Sequence, residues 1–197
     1  MRCGAPVLMV EPDPARVERA LVAGELVCPR CAGVLRPWGG TRRWLREGGV
    51  ARRVRVRRSR CRGCRVTHVL LPVRALARRL DLAEVIGRAL LAKAAGQGHR
   101  AVAAGLGLPP TTVRGWLRRF AARAELVRSH FTRLAHELDP SLGAISPRAS
   151  PAADALEALG VAAAAAVRRL GPAPVWWFAA GASGGRLLAP GPLGRQP

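Results

Sequence analysis

The sequence has no tyrosine, three phenylalanines and five tryptophans, so aromatics make up only 4% of its 197 residues. Hydrophobic residues still reach 49%, much of it alanine. That combination points to small cores of short side chains and excludes one large aromatic core. Lysine is nearly missing as well, Lys93 being the single one among 33 basic residues. A GC-rich genome would explain arginine in place of lysine, but not the shortage of acids. Only 12 acidic residues oppose the bases, giving a net charge of +21. Long apolar runs are also missing. No stretch approaches the ~20 residues of a membrane span. The N-terminal run at residues 5–10 is shorter than a signal-peptide core of ~7–15 residues and has no small-residue cleavage site. The expectation is a cytoplasmic, nucleoid-associated protein with no membrane partner. Its five cysteines would stay reduced there, which favours metal over disulfides.

The positive charge is concentrated. Residues 28–80 hold 16 arginines and one acid, Glu47, a net of +15. Residues 1–27 come to −1, residues 81–140 to +4 and residues 141–197 to +3. Charge that dense attracts a polyanion, and duplex DNA carries one phosphate charge per ~1.7 Å of axis. A membrane surface would call for arginines on one face of an amphipathic helix, whereas these lie in a strand-like region flanked by cysteines.

The chain divides by pattern into five segments. Residues 1–24 form an N-terminal segment, loose over 1–12, with a short helix capped by Asp13-Pro14 and stopped by Gly24. Residues 25–74 read as β. Segments 41–46 and 50–58 flank Gly48-Gly49, a hairpin signal, and residues 66–71 make a third strand closed by Pro72. Residues 81–138 read as helices, the first capped by Asp81 with Glu84 three residues on. Residues 139–151, with three prolines and three serines, read as a linker. Residues 152–197 form a helical, partly disordered C-terminal segment. The expected fold class is mostly α with a small β zinc ribbon, followed by a helix-turn-helix domain and a helical C-terminal segment.

Cys28-Pro29-Arg30-Cys31 and Cys61-Arg62-Gly63-Cys64 are two CxxC pairs. Two residues between thiolates let one tight turn present both sulfurs to one ion, and a second turn completes a tetrahedron. The 29 intervening residues exceed the ~15–20 of the commonest spacing, and the hairpin absorbs them. The expected cofactor is one structural Zn²⁺, since four thiolates leave no position open for water. Cys3 is left as a free thiol, and His68 reads as a strand residue rather than a fifth ligand.

The stretch 100–120 carries the second motif. Val102, Ala103 and Leu106 face one way on a short helix. Gly107 permits a sharp turn, and Leu108 plugs the gap. On the next helix Val113, Trp116, Leu117 and Phe120 form an apolar stripe. Away from it lie Thr111, Thr112, Arg114, Arg118 and Arg119, hydroxyls near the N-terminus and arginines beyond, as on a helix that enters a major groove. On the hairpin, Val54 and Val56 alternate with Arg53, Arg55 and Arg57. The alternation gives one apolar face and one cationic face suited to phosphates. The apolar stripe continues through Leu126, Val127, Phe131, Leu134 and Leu138.

Cys-Pro-x-Cys, a basic hairpin, Arg-Cys-Arg-Gly-Cys-Arg-Val-Thr-His and a helix-turn-helix together resemble the N-terminal DNA-binding region of insertion-sequence transposases. They resemble still more closely stand-alone bacterial relatives of unknown function. The resemblance covers about residues 25–138. It implies zinc ligands at Cys28, Cys31, Cys61 and Cys64, and DNA contacts from the helix beginning at Pro110. Such transposases continue into a nuclease-type domain with acidic metal ligands. Here 57 residues follow position 140, and their only acids are Asp154 and Glu157. The expectation is therefore a non-catalytic binder of double-stranded DNA, either a transposition accessory or a transcriptional regulator. The alternatives are a zinc-ribbon RNA-binding protein, for which the basic region offers Trp38 and Trp44 as stacking groups, or the remnant of a transposase. In the C-terminal segment Leu156, Leu159, Ala163, Val167 and Leu170 form a stripe. It packs on the protein's own helices or, alternatively, forms a homodimer. Trp176, Trp177 and Phe178 read as its core anchor.

Overall fold

A computed structural model describes residues 6–47 and 49–194. Cys3 and Gly48 lie outside them. Among the described residues are seven helices and one four-stranded sheet, a mixed α/β fold.

The sheet has the order β1-β4-β3-β2. Strand β1 (Val7–Val10) pairs parallel with β4 (Thr67–Pro72), whereas β2 (Leu35–Glu47) and β3 (Val50–Cys61) form an antiparallel hairpin joined to β4 through β3. It is larger than the small ribbon expected. The hairpin strands run 13 and 12 residues, and the segment expected to be loose supplies an edge strand. Val7-Leu8-Met9-Val10 is apolar throughout, as suits a strand covered on both faces. The strands alternate between two cores, β2 changing phase at its register slip. Leu8, Val10, Leu35, Cys61 and Leu70 pack under helix α1 (Pro14–Ala23) with Val17 and Leu21. Val7, Met9, Leu45, Val54 and Leu71 point the other way, toward Ala75, Leu82 and Val85. The hairpin register slips between Pro37 and Gly40, where Gly39 takes a φ of 83° that a side chain would oppose.

Asp13 caps α1 by accepting from the Ala15 amide, and Gly24 closes it, as expected. Asp81 does not cap the next helix. Helix α2 (Ala83–Ala94) has Leu82 at its cap without a side-chain bond. Asp81 is buried, with Oδ1 3.4 Å from an Arg46 guanidinium nitrogen. It ties β2 to the chain entering α2 instead of serving the helix, and burial raises its carboxyl pKa even beside Arg46.

Helices α3 (His99–Leu106) and α4 (Pro110–Ala121) are joined by a tight turn. Gly107 there adopts φ 64° and its N–H returns to the Ala103 and Ala104 carbonyls, a left-handed cap that favours glycine. Helix α5 (Ala124–Leu138) lies along α6 (Pro151–Leu170), and α7 (Val175–Ala182) packs on α2. One core joins Ile86, Leu90, Val113, Trp116, Phe120, Phe131, Leu159 and Leu188. The α6 seam toward this core is largely alanine (Ala155, Ala158, Ala162, Ala163, Ala166), and small residues let helix axes approach to the short end of the ~8–10 Å range.

Three stripe residues stand at the surface. Leu126 is exposed, and so are Val167 and Leu170 at the far end of α6. The buried face of each helix is rotated toward the alanines, which the size of a side chain alone does not reveal. Trp176, Trp177 and Phe178 do anchor α7. Trp176 lies flat on Gly87 so closely that a Cβ there would overlap the indole. Trp177 donates to Glu84, and Phe178 sits 6.1 Å from the Phe131 ring.

Candidate functional site

Two chain turns of the same shape bring the four cysteines together. In the first, the Cys28 N–H donates to the Gly33 carbonyl at 2.8 Å, and Ala32 takes a left-handed φ of 55°. In the second, the Cys61 N–H donates to the Val66 carbonyl at 2.9 Å, and Arg65 takes a φ of 62°. Each turn therefore bends at the fourth residue after its first cysteine and directs both sulfurs inward. The turns are tied to each other by the Arg62 N–H donating to the Val34 carbonyl at 3.0 Å.

The four Sγ atoms all lie within 4.8 Å of one another, with Cys31 to Cys61 at 3.4 Å and Cys28 to Cys64 at 3.6 Å. A tetrahedral tetrathiolate with metal–sulfur bonds of ~2.3 Å has sulfur–sulfur edges of about 3.8 Å. The cluster is therefore of a size to hold one metal ion. Cys28 and Cys61 are buried, Cys64 is half-buried and Cys31 faces solvent. The thiols titrate unequally. The Gly33 N–H and then the Cys61 thiol pull Cys31 down to about 6. At Cys64 the Val66 N–H pulls down, but burial and the three neighbouring sulfurs together prevail and push it up to about 11. Crowded sulfurs resist carrying four negative charges by themselves, and a bound cation removes that resistance.

Two contributors went unread in the sequence. Gly33 is one. A Cβ there would come within 3.0 Å of Cys61 Sγ and 3.4 Å of Cys31 Sγ, so only glycine lets the sulfurs close. His68 is the other. It is the strand residue expected, but on β4 it points into the cluster face, fully buried, with Nε2 3.3 Å from Cys28 Sγ. Burial lowers its pKa. With its proton on Nε2 the ring would donate to Cys28 Sγ, a contact that orients the sulfur. A histidine four residues past a CxxC was the available signal.

The cationic residues separate into free and committed. On α4, Val113, Trp116 and Phe120 are buried, while Thr111, Arg114, Arg118 and Arg119 are exposed and Thr112 is half-buried. Arg119 donates to the Gly115 carbonyl of its own helix. Among the described residues neither Arg114 nor Arg118 has a hydrogen-bond or ion-pair partner. On the hairpin, Arg53, Arg55 and Arg57 share one face, as the alternation predicts, but not one exposed surface. Arg53 and Arg55 are exposed. Arg57 is held by Glu18 of α1 at 2.7 Å, because α1 covers that end of the face. A small polar cleft lined by Arg46, Gly49, Asp81, Arg88, Gly105 and Leu106 places the hairpin tip beside the end of α3.

Residues 28–104 match the family described as Domain of unknown function (DUF6431). The matched stretch spans both cysteine turns, the hairpin, β4, α2 and most of α3, and stops before α4. No curated protein and no solved structure matches the chain. No helix among the described residues is long and apolar enough to cross a membrane.

Proposed function

We propose that the chain is a non-catalytic protein that binds double-stranded DNA through α4 and the arginine-rich hairpin, with one structural zinc ion at Cys28, Cys31, Cys61 and Cys64. The observation that carries this reading is on α4. Arg114 and Arg118 stand exposed one turn apart, without a partner among the described residues, on the face opposite Val113, Trp116 and Phe120. A helix so presented suits the major groove. There a guanidinium reaches guanine O6 and N7 in a bidentate way, and Thr111 near the N-terminus meets base or phosphate. The short α3, the left-handed turn at Gly107 and the buried Leu108 support a helix-turn-helix. Arg53 and Arg55 on the hairpin supply phosphate contacts, which fix position without reading sequence.

Zinc is favoured over other metals by an all-thiolate donor set at tetrahedral spacing. Bound there, it would cross-link the two cysteine turns. The residues of this chain do the remaining work: Gly33 lets the sulfurs approach, His68 orients Cys28, and the hairpin leaves one turn and returns through the other. The layout supports a transposition accessory or a regulator similar to the DNA-binding region of insertion-sequence transposases, located with the nucleoid. Exposed Trp38 and Trp44 favour RNA as the second reading.

The test is a titration of purified, metal-replete protein against one sequence presented as duplex DNA, single-stranded DNA and RNA, with the metal content measured on the same sample. Tightest binding to the duplex and one zinc per chain are expected. Preference for RNA would overturn the DNA reading, and a zinc-free folded protein the metal assignment.

A further inference from the structure

The five tryptophans are not alike. Trp116 lies in the helical core, Trp176 lies against Gly87 and Trp177 donates to Glu84. Trp38 is half exposed, but the Arg60 guanidinium lies over its ring at 4.6 Å. Trp44 is 55% exposed, and among the described residues it has neither a hydrogen bond, a stacked guanidinium nor an aromatic neighbour. Exposed aromatics in hairpins often stabilise the strands through a cross-strand apolar partner. The residue opposite Trp44 is Arg53.

The register fixes what surrounds it. Arg42 pairs with Arg55 and Trp44 with Arg53, so these four side chains share the face of the hairpin that α1 leaves bare. Successive residues on one strand face are ~7 Å apart, a spacing comparable to that of phosphates in an extended single strand. Arg55 leans along the face over Gly40, where a Cβ would meet its Nε at 3.0 Å. That is the direction away from Trp44. The result is an exposed indole with open access, on a hairpin face that also carries Arg42, Arg53 and Arg55 and, among the described strand residues, no acid. An aromatic plane framed by cations complements a nucleobase with its flanking phosphates. A duplex keeps its bases stacked on one another, so the base that can lie on Trp44 is an unpaired one.

We infer that Trp44, with Arg42, Arg53 and Arg55, is a stacking site for an unpaired nucleotide, and that the preferred ligand is duplex DNA carrying a single-stranded extension. This rests on the duplex-DNA reading and narrows its substrate. Helix α4 engages the paired part, and the hairpin face takes the strand where pairing ends.

The experiment compares a blunt duplex with the same duplex bearing a short single-stranded extension, for the full metal-replete chain and for Trp44→Ala and Trp44→Phe. The extension should tighten wild-type binding about tenfold or more, the scale of one base stacked on an aromatic. Trp44→Ala should lose that gain and leave blunt-duplex binding unchanged, whereas Trp44→Phe should keep most of it. Trp44 is exposed, so both variants should fold, and unchanged circular dichroism checks this. Equal wild-type affinity for the two duplexes overturns the inference and leaves the α4 reading standing. Equal loss on both duplexes in Trp44→Ala also overturns it, by making Trp44 a general contact. Absence of binding to either duplex overturns the DNA reading itself.

Discussion

The sheet with its cysteine turns and the helices from α2 onward are held together by different means. The helical part shares one core of 24 buried residues, among them Ala155, Ala158 and Ala162 of α6. The sheet has two thin cores, one of seven buried residues of which two are cysteines, and one of four. Each fully buried leucine or phenylalanine contributes ~1.5–3 kcal/mol, so the helices are supported by apolar burial, while the sheet must lean on the sulfur cluster. The arginines divide along the same line. Where an acid lies within reach the guanidinium is tied down, as with Arg57 on Glu18, Arg46 on Asp81 and Arg74 on Glu47. Where none does, as at Arg42, Arg53, Arg55, Arg114 and Arg118, the charge is left for a partner. Scarcity of acid is thus what makes surface available for an anion.

The largest expected effect comes from breaking the cluster. Cys61→Ser, or removal of the metal by a chelator, should unfold residues 28–72 and leave the helices standing. Metal affinity in small thiolate sites is folding free energy, ~10–16 kcal/mol apparent in zinc-finger peptides, and the sheet's own cores cannot replace it. Hydrogen exchange should show lost protection on β2 and β3 with the far-ultraviolet helical signal retained. Loss of both together would show that the two parts stand or fall as one.

Breaking the helical part in turn should spare the metal. Gly87→Ala places a methyl where the Trp176 indole lies, forcing α7 off α2. Overpacking of this kind costs about 1–3 kcal/mol. Denaturant unfolding should show a lower midpoint, with metal content unchanged.

The arginine division is sharpened by Arg57 against its strand neighbours. Arg57→Ala should cost about 1 kcal/mol of stability or less, as for partly exposed pairs, and leave the salt dependence of DNA binding alone. Neutralising Arg53 and Arg55 should leave stability alone and flatten that dependence by roughly 0.9 log units per lost phosphate contact. The same salt slope in both variants would contradict the distinction.

The smallest effect is a pH dependence at the α5–α7 contact. His130 donates to the Ala182 carbonyl at 3.0 Å. Burial lowers its pKa, the Ala182 bond opposes that and Arg133 adds to it. Because the folded value lies below the free one of ~6.5, this contribution to stability is complete above about pH 6.5 and is lost as pH falls toward the folded value. Melting curves at about pH 8 and about pH 5 should diverge less for His130→Asn than for wild type.

What could be read from the sequence was whatever local spacing encodes. The paired CxxC turns, the Gly107 break, the Val113–Trp116–Phe120 stripe, and both caps of α1 depend on residues within a few positions of one another, and the structure places each where the pattern implied. What could not be read depends on distant partners. Asp81 has the signature of a helix cap, and only the arrival of β2 gives it Arg46 instead. Arg57 looks identical to Arg55 until α1 delivers Glu18. Four apolar residues at 7–10 carry no periodicity, so their pairing with β4 was invisible. Val167 and Leu170 fit the stripe of α6, but the helix turns its alanines inward and leaves these two exposed. At the candidate site the four sulfurs followed from spacing, whereas Gly33 and His68 gained their places from the opposite turn and from β4.

If the exposed face of α4 reads DNA sequence, Arg114 should discriminate between duplexes. The most direct measurement is selection of bound duplexes from a random pool. Wild type and Arg114→Ala are then titrated on the selected duplex and on a scrambled control, with Trp116→Ala as the variant that should lower stability instead. An enriched sequence is expected, with a loss of ~1–3 kcal/mol for Arg114→Ala on that sequence and much less on the control. Equal losses on both duplexes, or no enriched sequence at all, would contradict it.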